Sequence, residues 1–163
     1  MKIPRSDPRA RYIATATRVG LAGAIDFARD RHRWVLATTR ADGRPQMSPV
    51  TGGVTPAGRL AIATYPQRAK VANARRNPQV SVLVVGDDGD DPWVQVDGTA
   101  TVRHMPEAAE DFVDYYRAIS GEHPDWDDYR RAMAEQGKCI LLIEPTRCGP
   151  ISTGGFPPSL FED

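Results

Sequence analysis

Two cations one residue apart, Arg68 and Lys70, follow a proline in the stretch TYPQRAKVANARRNP, residues 64–78. Arg75 and Arg76 are the other charged residues of the stretch, and no carboxylate stands among them. The segment 66–76 reads as a short helix: Pro66 suits a first turn, and Asn77-Pro78 ends it by restricting the residue ahead of the proline. Arg68 and Lys70 then fall in the first turn, where the helix dipole is positive and a cation costs roughly 0.3–1 kcal/mol. A phosphate seated on the unpaired N–H groups of that turn would reverse the sign, with both side chains as further donors to it. Two solvated basic residues on a surface helix are the alternative that needs no ligand.

A second signal lies just upstream, in SPVTGGV (48–54), where Gly52 and Gly53 interrupt a good strand. Glycine weakens a strand and marks a bulge or a close approach to the backbone. Either a flat ring stacks on this main chain, or the glycines bend a small barrel. Other constellations carry less. The turn GDDGDDP (86–92) has four aspartates without the spacing or terminal Glu of a calcium loop, and reads as a solvated hairpin loop. His32, His104 and His123 are scattered over different elements, and Cys139 and Cys148 have no ligand partner at metal spacing. No metal site is expected, and the two cysteines read as reduced thiols. A dinucleotide fingerprint, a phosphate-loop motif and a G-x-S-x-G elbow are all missing from the sequence.

The chain is formally neutral, with 21 basic and 21 acidic residues, yet the charges are segregated. Residues 1–86 hold 15 Lys and Arg against 4 Asp and Glu, leaving 6 against 17 for the remainder. Between Asp42 and Asp87 there is no acid, while Arg44, Arg59, Arg68, Lys70, Arg75 and Arg76 all fall there. That window either docks an anion or is neutralised by the acidic half across the fold or a dimer. Few aromatics interleave with the arginines, which argues against nucleic acid as the partner. No apolar run is long enough to span a bilayer, and Arg18 interrupts the start before a signal sequence develops, so a soluble cytoplasmic protein is expected.

The elements that must position these residues follow from periodicity. Leu21, Ala24, Ile25 and Ala28 share a helical face within 19–31. Strands are expected at 33–40, 44–54, 59–64, 79–85, 93–103 and 138–145, the first two joined by a turn at Asp42-Gly43. Helices are expected at 106–119 and 124–136, where Phe112, Tyr115, Tyr116 and Ile119 read as core packing. Six strands joined mostly by short turns predict a mainly β fold with flanking helices, an antiparallel barrel rather than a doubly wound sheet. The 163 residues read as one domain, with 1–18 an N-terminal arm and 146–163 an irregular C-terminal tail.

The strand WVLATTRADGRPQMSPV, then GRLAIATYPQRAKVANARRNPQVSVLVV, then WVQVDGTATV, in that order, resembles the pyridoxamine-phosphate-oxidase-like split β-barrel superfamily over roughly residues 20–145. The Arg-Ala-Lys at 68–70 is most similar to the branch that uses the deazaflavin coenzyme F420. The resemblance implies a six-stranded antiparallel split barrel and a homodimer with coenzyme grooves at the subunit interface. It implies that Arg68, Ala69 and Lys70 hold the coenzyme phosphate beside Ala63 and Thr64, and that Ser48, Pro49, Val50 and Thr51 lie along the ring. It also implies that Trp93 reaches the coenzyme from the neighbouring subunit. Two departures stand out. The family often has larger residues where this chain has Thr51-Gly52-Gly53, and classical pyridoxamine-phosphate oxidases have adjacent Arg-Lys where this chain has Ala69-Lys70. That oxidase activity is not expected.

The implied function is an F420-dependent oxidoreductase that moves a hydride between the deazaflavin and a small organic substrate with an electron-poor double bond. FMN is the alternative coenzyme, and a non-catalytic flavin or tetrapyrrole binder the alternative class. The coenzyme carries the reactive chemistry in such a site, so no dedicated acid or base is named.

Overall fold

The computed structural model describes residues 1–163. Its elements run β1 (Thr15–Thr17), α1 (Leu21–Arg29), β2 (Arg33–Thr39), β3 (Pro45–Thr51), β4 (Gly53–Val54), β5 (Leu60–Thr64), α2 (Ala69–Arg76), β6 (Gln79–Val84), β7 (Val94–His104), α3 (Ala109–Ser120), α4 (Trp126–Glu135), β8 (Cys139–Cys148) and β9 (Ile151–Thr153). Seven strands form one antiparallel sheet in the order β3-β2-β6-β7-β8-β5-β4. Its two edges, β3 and β4, are consecutive in the chain. A single residue, Gly52, therefore joins opposite edges, and the sheet must curl round on itself into the split barrel.

The expected strand 44–54 is thus two strands, because the chain changes partner at Gly52. There β3 leaves β2 and β4 takes up β5. A Cβ at Gly52 would fall inside the indole of the buried Trp34. Of the two readings of these glycines, the bend is the one realised at Gly52, and the ring packed on its backbone is the protein's own. His32 locks the bend with a reciprocal pair: its carbonyl accepts from the Gly52 amide (3.0 Å), and its Nδ1 bonds the Gly52 carbonyl (2.9 Å).

Alternation explains the core. Trp34 and Leu36 of β2, Val82 and Val84 of β6, Val94 and Val96 of β7, and Leu141 and Ile143 of β8 fill the barrel interior. The opposite face of β8, Ile140 and Leu142, is covered by Phe112 and Val113 of α3 and by Tyr129 and Met133 of α4. A strand buried on both faces reads as the unbroken run CILLI. On α1, Ala24, Ile25 and Ala28 are buried as their spacing requires, while Leu21 at the helix start is exposed.

Residues 146–163 are not irregular throughout. The strand β8 continues to Cys148, and β9 pairs with β1 of the N-terminal arm, Thr15 opposite Thr153 and Thr17 opposite Ile151. Phe161 is 1% exposed, beside the bridge from Ile3. Proline and glycine density hid this because the pairing is short and joins the two ends of the chain. No helix is long and apolar enough to cross a membrane.

A bulge at Asp97-Gly98 bends β7, and Gly98 has no room for a Cβ against the Glu144 carbonyl. Burial would raise the Asp97 pKa, but hydrogen bonds from Gln95, Ser81 (2.7 Å) and Arg147 (2.7 Å) outweigh it and hold the pKa below its usual 3.8. A carboxylate depressed on folding adds stability that is complete above its unfolded pKa and fades as pH falls through the folded one. Asp97→Asn is therefore expected to be less stable than the parent at neutral pH, with the gap closing in urea melts taken below about pH 4.

Candidate functional site

The groove of interest opens where the β4–β5 ladder stops. The pairs Val54–Leu60 and Gly53–Ala61 would continue as Thr51 opposite Ala63, yet no ladder forms there. Instead β3 pairs with β2 along its whole length, from Pro45 to Thr51. One lip carries Ser48, Pro49, Val50 and Thr51; the other carries Ala63, Thr64, Arg68, Ala69 and Lys70. Nine of the ten residues singled out in the sequence thus fall on β3 or on the β5–α2 segment.

The second lip is held in place by buried polar contacts. In α2, Asn73 is 7% exposed; its Nδ2 donates to Thr38 Oγ1 (3.1 Å), which in turn bonds Gln46 Oε1 (3.1 Å). Arg76 donates to the Thr39 carbonyl and to Asn73 Oδ1, both at 2.8 Å. These bonds tie α2 to the far end of the β2–β3 hairpin, so its first turn is fixed relative to both strands.

The helix starts at Ala69, three residues later than expected, with Arg68 at the N-cap in extended conformation. Tyr65 to Arg68 close a turn, the Arg68 amide bonding the Tyr65 carbonyl (3.1 Å), because Pro66 is accommodated there. The helix start has neither a side-chain cap nor an acidic residue in its first turn. Arg68 and Lys70 make no ion pair in the chain, and neither do Arg59, Arg75 and Arg76; Arg44 pairs with Asp42 (3.9 Å). Only two exposed pairs, Lys2–Asp163 and Arg33–Asp87, join the basic half to the acidic half. Neutralisation within one chain thus leaves this window positive. Lys70 is half-buried, and its pKa is lowered first by that burial and second by Arg68. An anion between the two would offset both effects by favouring the charged ammonium.

The facing strand has a complementary defect. Ser48 Oγ is buried and has no hydrogen-bond partner. An orphaned buried hydroxyl costs on the order of 1–3 kcal/mol, so this one is open to a polar partner that the chain does not supply. Pro49, Val50 and Thr51, with Arg33, Trp34, Val35 and Val85, line a cleft of about 410 Å³. Neither this cleft nor those of about 420 Å³ at the start of β2 and about 560 Å³ between the terminal segments include Ser48, Arg68 or Lys70. Outward from β3, Met47 is 64% exposed, with Pro49 exposed beside it.

Trp93 stands apart from these residues. Its backbone pairs with Ser152 in both directions at 2.9 Å, and its ring lies beside Gly154. In the sheet, β6 and β2 separate its strand from β3.

One residue of the groove was not identified from the sequence. Tyr115 of α3, assigned to packing by its helical spacing, donates its hydroxyl proton to the Thr51 carbonyl (3.1 Å). The backbone of Ala63 approaches the same oxygen. No sequence signal distinguishes this tyrosine from Tyr116, one residue on, whose ring instead packs edge-on against Trp126 and Tyr129. The acidic turn forms an ordinary loop, the Asp88 amide bonding Asp91 Oδ2 (3.0 Å), with no cluster of three or more potential metal ligands.

Comparison with known proteins bears on this arrangement. A family model described as pyridoxamine 5'-phosphate oxidase matches residues 24–151. Among solved structures, the conserved hypothetical protein Rv2991 from Mycobacterium tuberculosis superposes with a TM-score of 0.68 at 25% identity, over 84% of this chain and 89% of that one. A protein described as an F420 reductase gives 0.55 at 20% identity, over 76% and 94%. The heme storage protein HutZ from Vibrio cholerae gives 0.59 at 17% identity, over 84% and 98%. The last two share the fold with this chain.

Proposed function

Because the chain belongs to the pyridoxamine 5'-phosphate oxidase family, we propose that it is an oxidoreductase holding the deazaflavin F420 in the split between β3 and the β5–α2 lip. Its substrate is a small organic molecule with an electron-poor double bond. The observation that carries this reading is the unpaired couple of exposed Arg68 and half-buried Lys70 at an uncapped helix start. Such a couple suits a phosphodiester, and Arg75 and Arg76 further along α2, bonded to neutral groups and not to carboxylates, add positive charge that favours a coenzyme with more negative charge than a single phosphate. Ser48 Oγ supplies a hydrogen bond that no protein group takes. When bound, the deazaflavin supplies the hydride chemistry.

The chain's own residues then have limited tasks. Arg68 and Lys70 neutralise the phosphate, Ser48 to Thr51 present a main-chain edge to the ring, and Trp34 behind Val50 keeps that edge from collapsing inward. We read the exposed row Met47 and Pro49 as the seat of a second copy, which would exclude water from the groove and bring its own Trp93 to the coenzyme.

The test is steady-state oxidation of reduced F420 over a panel of enones and quinones, with difference spectra on adding F420 or FMN to the protein alone. Tight binding of F420 and turnover with at least one acceptor are expected. Tight FMN binding with none for F420 would change the coenzyme, and binding without turnover on any acceptor would make the protein a carrier.

A further inference from the structure

The two lips of the groove are joined at its closed end by one side chain. Tyr115 projects from α3, which is seated against the bend by Ala118 and Ile119; a Cβ on Gly53 would stand 3.0 Å from Ala118 Cβ and 3.2 Å from Ile119 Cγ1. Its hydroxyl sits where the β4–β5 ladder would have continued, bonded to the Thr51 carbonyl (3.1 Å) and approached by the backbone of Ala63. Those two residues would face each other had the ladder gone on. A phenol in that place does what a backbone bond cannot: it satisfies a strand polar group while keeping the two strands a side chain's width apart.

We propose that Tyr115 is the positioning residue that sets the width of the groove, acting on the coenzyme through Thr51 and Ala63. This rests on the functional reading above. The hydroxyl proton is committed to the Thr51 carbonyl, and burial makes the phenol a weaker acid than usual, with the Ala63 backbone partly offsetting that shift. Tyr115 is accordingly not the source of a proton for the substrate. Removing only its oxygen would leave α3 packed but would release Thr51 and Ala63 to pair directly or drift apart, and either outcome misplaces the ring-facing strand relative to Arg68 and Lys70.

The experiment is Tyr115→Phe, read in two ways. Hydrogen–deuterium exchange on the protein without coenzyme is expected to rise by about tenfold or more in peptides covering 47–53 and 61–65, with those of α4 and β7 unchanged. In the same variant, F420 titrated by fluorescence is expected to bind about five- to tenfold more weakly, and the visible circular dichroism of bound F420 is expected to change shape. A merely structural tyrosine would lower the melting temperature without altering that band. Unchanged exchange in the two lip segments overturns the proposal whatever the coenzyme does. Altered exchange with unchanged F420 affinity and band shape also overturns it, while leaving the coenzyme reading intact. A parent protein that binds neither F420 nor FMN overturns the coenzyme reading and this inference together.

Discussion

Arg68→Ala and Lys70→Ala are each expected to weaken F420 binding by on the order of 1.5–3 kcal/mol, the size of a lost charge-assisted contact. In a fluorescence titration that is roughly a tenfold to 150-fold rise in Kd. The physical basis is that neither cation has a carboxylate partner to lose, so truncation removes an interaction with the ligand and disturbs little else. Lys70 is the more informative of the two. Its charge is held at a cost imposed by burial and by Arg68, so in the free protein Lys70→Ala relieves strain and stability is expected to stay level or rise slightly. A variant that gains stability while losing ligand marks a residue kept for binding. Arg29→Ala serves as a control: this arginine pairs with Asp26 on α1 (3.3 Å), and the titration is expected to be unchanged. Equal affinity in Arg68→Ala, Lys70→Ala and the parent would remove the phosphate site and the enzymatic reading with it.

The second large effect is expected at Gly52→Ala. The new methyl would occupy the space of the Trp34 indole, which is 1% exposed and anchored by its Nε1 donating to the Arg31 carbonyl (2.6 Å). Neither side can yield easily, because the backbone of Gly52 is bound in both directions to His32. Overpacking of this kind costs on the order of 3 kcal/mol, a large share of the stability of a domain this size. It should appear as a lower urea midpoint at nearly constant slope. Because Gly52 is the point at which β3 leaves one sheet edge and β4 joins the other, coenzyme binding should fail in the same variant even under conditions where it stays folded. A variant with the parent's urea midpoint would mean that the bend tolerates a side chain and is not the fixed corner described here.

The sequence alone determined the barrel strands, their approximate bounds and the helices between them, since these follow from side-chain alternation and helical spacing, which are local. It also showed where positive charge is concentrated, while the ion pairs that leave it uncompensated within the chain came from the fold. The order and spacing of the motifs carried the likeness to the split-barrel superfamily. Other features rest on contacts between distant segments and leave no local trace. The pairing of β1 with β9 joins residues 15 and 153, and nothing in the proline-rich tail announces it. Gly52 could have been a seat for a ring or a bend, and only the arrival of Trp34 on its backbone decided between them. Tyr115 and Tyr116 are equivalent in any helical pattern; the packing of α3 sends one hydroxyl into the split and the other ring into an aromatic cluster. Periodicity reports which face of an element is buried, but which atom meets which across the fold is fixed by how the sheet closes.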